Sequence, residues 1–199
     1  VALEACPYVS DAAKQELADS AAPPMRIVTI GAGPGAVPIG GETVLFRHEE
    51  KFHRPTAVAI RVSDQGDVAA EIAAVGGLKF LRSGKGVGVE MIALEQKGDA
   101  KSFRAAAEIV RDRTALAVVL MSTDPAALAG ALEVLAERKP LLCGATKANL
   151  DEMVQLAKKH GVPLAVRGES LEELADLASK AKQGGVEDLV LVPQLGSTG

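Results

Sequence analysis

From Thr56 onward, short apolar runs rich in β-branched residues alternate with longer stretches whose apolar positions recur every three or four residues. The first kind of pattern predicts strands and the second predicts helices packed by one face. Ala57–Val62 reads as a strand, followed by a helix over Asp67–Val75 with Asp64 or Asp67 as its cap and Gly76-Gly77 as its stop. Val87–Leu94 reads as the next strand, and Asp99–Arg113 as a helix presenting Phe103, Ala106, Ala107 and Val110 on one side. Leu116–Met121 is a strand, after which Ser122-Thr-Asp-Pro125 opens a helix to Arg138, with Asp124 as N-cap and Pro125 in the first turn. Pro140 ends that helix, and Leu141–Cys143 is a short strand. Asn149 or Thr146 caps a helix to His160, which Gly161 closes. Leu164–Val166, a helix from Ser170 to Gln183 opened by the capping box Ser170-Leu-Glu-Glu173, and a strand over Asp188–Val192 complete the series.

Strands joined one after another by helices imply a parallel sheet with right-handed crossovers. A doubly wound sheet needs nothing more, whereas a closed eight-unit barrel takes roughly 250 residues. The even repeat and the lack of a long crossover favour an α/β fold of TIM-type (β/α) barrel form, cut short after about six strand–helix units. Ahead of Thr56 the pattern changes. Asp11–Ser20 predicts a short helix, Ala22-Pro-Pro24 a linker, and Arg26–Ile30 with Thr43–Phe46 an N-terminal β-hairpin across the bottom of the barrel.

Composition narrows the functional classes. The 199 residues are 48% hydrophobic but only 3% aromatic, so the core is built from Val, Leu, Ile and Ala, as in helix-flanked parallel sheets. A net charge of -4 without any basic cluster argues against nucleic acid. The apolar runs are too short to cross a membrane, and the first residues lack the pattern of a signal peptide. Two cysteines, Cys6 and Cys143, make no disulfide framework, and the expectation is a cytoplasmic protein.

Gly31-Ala-Gly33-Pro-Gly35 follows a strand and has the look of a dinucleotide fingerprint, a flavin or nicotinamide site. Pro38, Gly40 and Gly41 come too soon after it for a helix, so a hairpin loop without FAD or NAD is expected. His48 and His53 flank Glu49 and Glu50, but no third ligand group accompanies them, and a charged strand end or partner-binding loop is the plainer reading. Polar residues cluster at the predicted C-terminal strand ends, where barrel sites form: Ser63, Asp64, Ser122, Asp124, Thr146, Asn149, Arg167 and Gln194. Asp64 and Asn149 could hydrogen-bond a pterin-like ring, or Asp64, Asp124 and Asn149 could simply cap helices. Cys6-Pro7 resembles the close of an iron–sulfur ligand run, although one thiolate holds no cluster.

Cys6-Pro-Tyr-Val-Ser-Asp-Ala-Ala-Lys14, the Ala22-Pro-Pro24 linker and Gly41-Glu-Thr-Val-Leu-Phe-Arg-His-Glu49 together resemble one family. So do Arg138-Lys-Pro-Leu-Leu142, Ala145-Thr146, Ala148-Asn149, Pro163-Leu-Ala-Val166 and Leu171-Glu-Glu-Leu174. It is the large (gamma) subunit of the corrinoid iron–sulfur protein of the CO dehydrogenase/acetyl-CoA synthase complex. The resemblance implies that residues 1–24 are the tail of an iron–sulfur domain and its linker, 25–55 the hairpin, and 56–199 a partial barrel. It implies a carrier that passes a methyl group from methyltetrahydrofolate to acetyl-CoA synthase, with a 4Fe-4S cluster and a corrinoid (cobalamin) in the intact protein. Cys6 then stands where the family has its last cluster ligand. The implied partners are a small barrel subunit, a methyltransferase and acetyl-CoA synthase. On this stretch alone no cofactor and no catalytic residue are expected, and self-association through open sheet edges is. The rival reading is a pterin-binding barrel methyltransferase acting on a folate through Asp64 and Asn149.

Overall fold

The structure, a computed structural model, describes residues 10, 12–14, 17, 26–41, 54 and 56–194. Two compact units divide the chain. The smaller takes residues 1–26 and 40–55, and the larger 27–39 and 56–199. In the smaller unit the described residues 12–14 and 17 are helical, as expected, and the Ser10 hydroxyl accepts from the Ala13 amide at 3.3 Å. Arg54 Nη1 donates to the Gly40 carbonyl at 3.0 Å. Cys6, the 43–46 segment, His48 and His53 lie outside the described residues.

The larger unit opens with β1 (Val28–Ile30), a 3-10 turn over Gly33–Gly35 and β2 (Val37–Ile39), paired antiparallel. β1 thus pairs with Val37–Ile39, inside what reads from the sequence as a loop, while the expected partner Thr43–Phe46 lies outside the described residues. Val37-Pro-Ile39 can pair there because Pro38, which has no amide to donate, sits on an edge strand. A Cβ on Gly35 would stand 2.6 Å from the Ala115 carbonyl oxygen, so the glycine run allows a close backbone approach beneath the sheet. A turn and a strand follow Gly31, not a helix, and no helix N-terminus stands there to receive a pyrophosphate.

Next come β3 (Ala59–Ser63), α1 (Val68–Gly76), β4 (Lys79–Arg82), β5 (Lys85–Gly88), β6 (Met91–Glu95) and α2 (Ala100–Arg113). They lead to β7 (Ala117–Met121), α3 (Pro125–Leu135), β8 (Leu141–Ala145), α4 (Leu150–His160), β9 (Leu164–Gly168), α5 (Leu171–Gln183) and β10 (Leu189–Pro193). The run Val87–Leu94 is not one strand. Its first part is β5, which pairs antiparallel with β4 in a separate hairpin, and only Met91–Glu95 joins the main sheet. That sheet is six-stranded and parallel, in the order β3-β6-β7-β8-β9-β10.

The order runs in sequence with no reversal. A doubly wound sheet turns back on itself and carries helices on both faces. Here the side chains sort into two clusters along alternate strand positions. Ile92, Leu94, Val118, Leu120, Leu142 and Leu164 meet buried residues from all five described helices. Met91, Ala93, Ala117, Val119, Leu141 and Ala165 point the other way and meet no helix, only Ile30 of the first hairpin and half-buried apolar neighbours. Met91, Ala117 and Leu141 begin their strands, so the β1–β2 hairpin covers the N-terminal end of this helix-free face. The five described helices of the larger unit therefore lie on one side of its sheet, as in a barrel-like α/β fold.

Candidate functional site at the C-terminal strand ends

The polar residues singled out from sequence do gather at the C-terminal ends of the parallel strands, but most of them bind the fold itself. Asp64 follows β3 and is 7% exposed. Its Oδ1 accepts from the amides of Lys97 (2.7 Å) and Gly98 (3.0 Å), and its Oδ2 from the Gly98 amide (3.1 Å) and the Ser102 hydroxyl (3.2 Å). One carboxylate thus ties the loop after β3 to the loop after β6 and to the first turn of α2. Asp64 does not cap a helix. Asp67 caps α1 by accepting from Ala70, and Asp99 caps α2 by accepting from Ser102.

The next two loops are stitched in the same way. The Ser122 hydroxyl, 8% exposed, bonds Gln96 Oε1 and accepts from the Asp124 amide at 2.9 Å, while Asp124 caps α3 through the Ala126 amide. Asn149 holds the N-cap position of α4 yet makes no side-chain cap bond. Its Nδ2 donates to the carbonyls of Thr123 (2.8 Å) and Gly144 (3.2 Å), and its Oδ1 accepts from the Thr146 amide (2.8 Å) and hydroxyl (3.2 Å). An amide side chain has two donor hydrogens and one acceptor oxygen, so this residue is fully used. The close contact it spans depends on Gly144, at φ 138, where a Cβ would fall 2.0 Å from the Ser122 carbonyl oxygen. The β8–β9 register shifts between Cys143 and Ala145 at that point.

Three of the sequence candidates do meet around open space. Thr146, Arg167 and Gln194, with Lys147, Glu169 and Glu173, line a cleft of about 620 Å³ above β8, β9 and β10. Two cations and two carboxylates balance there. Glu173 is partly occupied, because its Oε2 accepts from the Glu169 amide at 2.8 Å and thus serves the residue before the cap, while Ser170 accepts from the Glu173 amide at 3.1 Å. Neither Asp64 nor Asn149 lines this cleft.

Sequence reasoning missed the polar upper half of the helix-free face. Glu95 shares that face with Met91 and Ala93, and its Oε1 pairs with Lys97 Nζ at 3.0 Å and Arg61 Nη1 at 3.6 Å. Cys143 lies half-buried on the same face, and burial pushes its thiol above the ordinary range while the nearby Arg167 charge pulls it back down. Strand alternation was the available signal, because Glu95 and Cys143 each sit two positions after an inward apolar residue, Ala93 and Leu141. Among the described residues no group of His, Cys, Asp and Glu could hold a metal ion, and no helix is long and apolar enough to cross a membrane.

Comparison with known proteins places this architecture. Residues 27–199 match the family model of the CO dehydrogenase/acetyl-CoA synthase delta subunit. The chain is 47% identical over 195 residues to the corrinoid/iron-sulfur protein large subunit of Moorella thermoacetica, a match that covers 96% of this chain and 44% of the relative. It is 33% identical over 198 residues to the acetyl-CoA decarbonylase/synthase complex subunit gamma of Methanothermobacter thermautotrophicus, covering 97% and 43%. The gamma subunit of Archaeoglobus fulgidus is 34% identical over 205 residues, covering 96% and 43%. The chain thus spans less than half the length of these relatives.

Proposed function

The chain belongs to the CO dehydrogenase/acetyl-CoA synthase delta subunit family, and from that premise we propose that it is the barrel scaffold of a corrinoid iron–sulfur methyl carrier. In this reading the parent protein takes a methyl group from methyltetrahydrofolate and passes it to acetyl-CoA synthase. Its partners are a small barrel subunit, a methyltransferase and the synthase, in the cytoplasm. The observation that carries the reading is the 47% identity to a corrinoid/iron-sulfur large subunit over 96% of this chain. Sequential strand order and one-sided helices support closure of the sheet into a (β/α) barrel in the parent protein.

A four-iron cluster does not fit the residues described here. A four-iron cluster takes a set of cysteine thiolates, and Cys143 is the one cysteine among the described residues. It stands on a strand, with no second thiolate among the described residues. What these residues do is hold a rigid platform: Asp64, Ser122 and Asn149 lock adjacent loops into one rim. The rival, a pterin-binding methyltransferase working through Asp64 and Asn149, would have to break those bonds to free either side chain. Saturation of both side chains by backbone groups and neighbouring hydroxyls therefore supports the scaffold reading. The decisive experiment loads the full-length protein with cobalamin, reduces the cobalt to Co(I) with a low-potential chemical reductant, and supplies methyltetrahydrofolate and methyltransferase. A methyl-cobalt absorption band that survives Asn149→Ala in a folded protein is expected. Failure to methylate the wild-type protein would defeat the carrier assignment.

A further inference from the structure

The β4–β5 hairpin stands apart from the rest of the molecule. It is inserted between α1 and β6, where a plain crossover would need only a loop, and its two strands pair with each other alone. Ser83 and Gly84, at φ 49 and 75, form the tight turn between them. Phe80 is 60% exposed and Leu81 is 80% exposed, a large apolar outlay for an arm that buries no core.

The glycines on the second strand are equally unexplained by the chain itself. Gly86 pairs with Leu81 and Gly88 with Lys79, and neither has a positive φ. A Cβ on Gly86 would meet nothing within 4 Å, and one on Gly88 only ordinary contacts at 3.7 and 3.8 Å. Glycine in a strand weakens it, and it marks places where another backbone or ligand comes close. No crowding among the described residues requires it at Gly86. The result is a shallow apolar depression of about 530 Å³ beside Leu81. Charge adds direction. Residues 78–88 contain Lys79, Arg82 and Lys85 and no acid, in a chain of net charge -4. Neither Lys79 nor Arg82 has a carboxylate partner among the described residues.

We propose that this hairpin is a docking arm for a second protein subunit, which seats an apolar ridge over Gly86 against Leu81 and rings it with carboxylates facing Lys79 and Arg82. Three cations are too few to hold a nucleic acid backbone or a membrane against the negative charge of the whole chain, whereas a protein surface can meet the apolar and cationic parts together. The partner is a subunit of the parent complex, and to that extent the inference rests on the function proposed above.

The test titrates the full-length protein separately with the small barrel subunit, the methyltransferase and acetyl-CoA synthase by calorimetry. Gly86→Val fills the depression with a residue that strands favour, so the free protein should melt at an unchanged or higher temperature. It should weaken one of the three associations at least about tenfold, as should Leu81→Ser, in line with loss of a central contact. Lys79→Glu should weaken the same association and flatten its salt dependence. Wild-type affinity for all three partners in both Gly86→Val and Leu81→Ser would overturn the docking arm and leave the carrier reading untouched. No association of the wild-type protein with any of the three would overturn both. Loss of binding to phosphatidylglycerol vesicles, with the protein partners unaffected, would reassign the arm to membranes and refute the proposal.

Discussion

The two faces of the six-stranded sheet are built from the same strands and yet live in different surroundings. Leu120 and Met121 are neighbours on β7. Leu120 is fully buried against the helices, while Met121 lies half-buried on the face that no helix covers. The helix-covered face is apolar from end to end. The other begins apolar under Ile30 and ends in Arg61, Glu95, Cys143 and Arg167. One face is therefore the fold's source of stability, and the other is where a barrel would place its contents and its chemistry.

The largest effect should come from testing that asymmetry directly. Leu120→Ala should cost roughly 2–5 kcal/mol in urea melts, the range for deleting a packed core side chain. Met121→Ala in this chain should cost about 1 kcal/mol, because water already reaches part of it. In a version extended to the full barrel the Met121→Ala cost should climb toward that of Leu120→Ala, and an unchanged gap would refute closure. The edges bear on the same question. Among the described residues β3 and β10 each pair on one side only, so this chain should self-associate on light scattering where the extended one does not.

The rim should respond next. Asp64→Ala removes acceptors from the Lys97 and Gly98 amides and from the Ser102 hydroxyl. A loss of about 1.5–3 kcal/mol is expected, with faster hydrogen exchange at the Lys97 and Gly98 amides. Exchange unchanged at both amides would show that the loop does not depend on this carboxylate.

How much of this could be read in advance divides along the same lines. Helices α3 and α5 were legible with their caps, because Asp124 and Ser170 act on amides within their own first turns. The partners of Asp64 were not, since Lys97 and Gly98 lie 33 and 34 residues away and only the parallel register brings them near. The docking hairpin hid for another reason. Val87, Val89, Met91 and Ala93 keep one unbroken two-residue apolar alternation, with Glu90 falling in an ordinary alternate position, so the boundary between an exposed arm and a buried strand left no trace in the hydropathy pattern. Arg138 shows the same limit: the stretch Arg138-Lys-Pro-Leu-Leu142 marks the family, but its guanidinium donates to carbonyls of Val110, Thr114 and Leu116, more than twenty residues earlier.

A smaller effect is expected where the helix-free face meets solvent. Arg61 and Lys97 are well exposed, and their pairing with Glu95 is open to water. Arg61→Ala should change stability by only ~0–1 kcal/mol, and less in high salt. A loss as large as that of Asp64→Ala would mean that this end of the face is covered in solution.

The smallest effect is kinetic and concerns Cys143. Burial raises its thiol pKa above the ordinary value, and the Arg167 charge opposes that rise by favouring the thiolate. At mildly alkaline pH the thiolate is therefore the minor form, and alkylation by iodoacetamide should be slower than for a free cysteine. Removing the cation takes away the opposing influence, so the pKa should rise further in Arg167→Gln. The midpoint of the alkylation rate against pH should then move to higher pH, with a plateau reached later. Measured in a Cys6→Ser background, the two profiles isolate one thiol. Added salt should shift the wild-type midpoint upward and leave Arg167→Gln almost unmoved, since screening acts only where the cation remains. A midpoint that falls in Arg167→Gln would place the guanidinium elsewhere, and with it the polar end of the helix-free face.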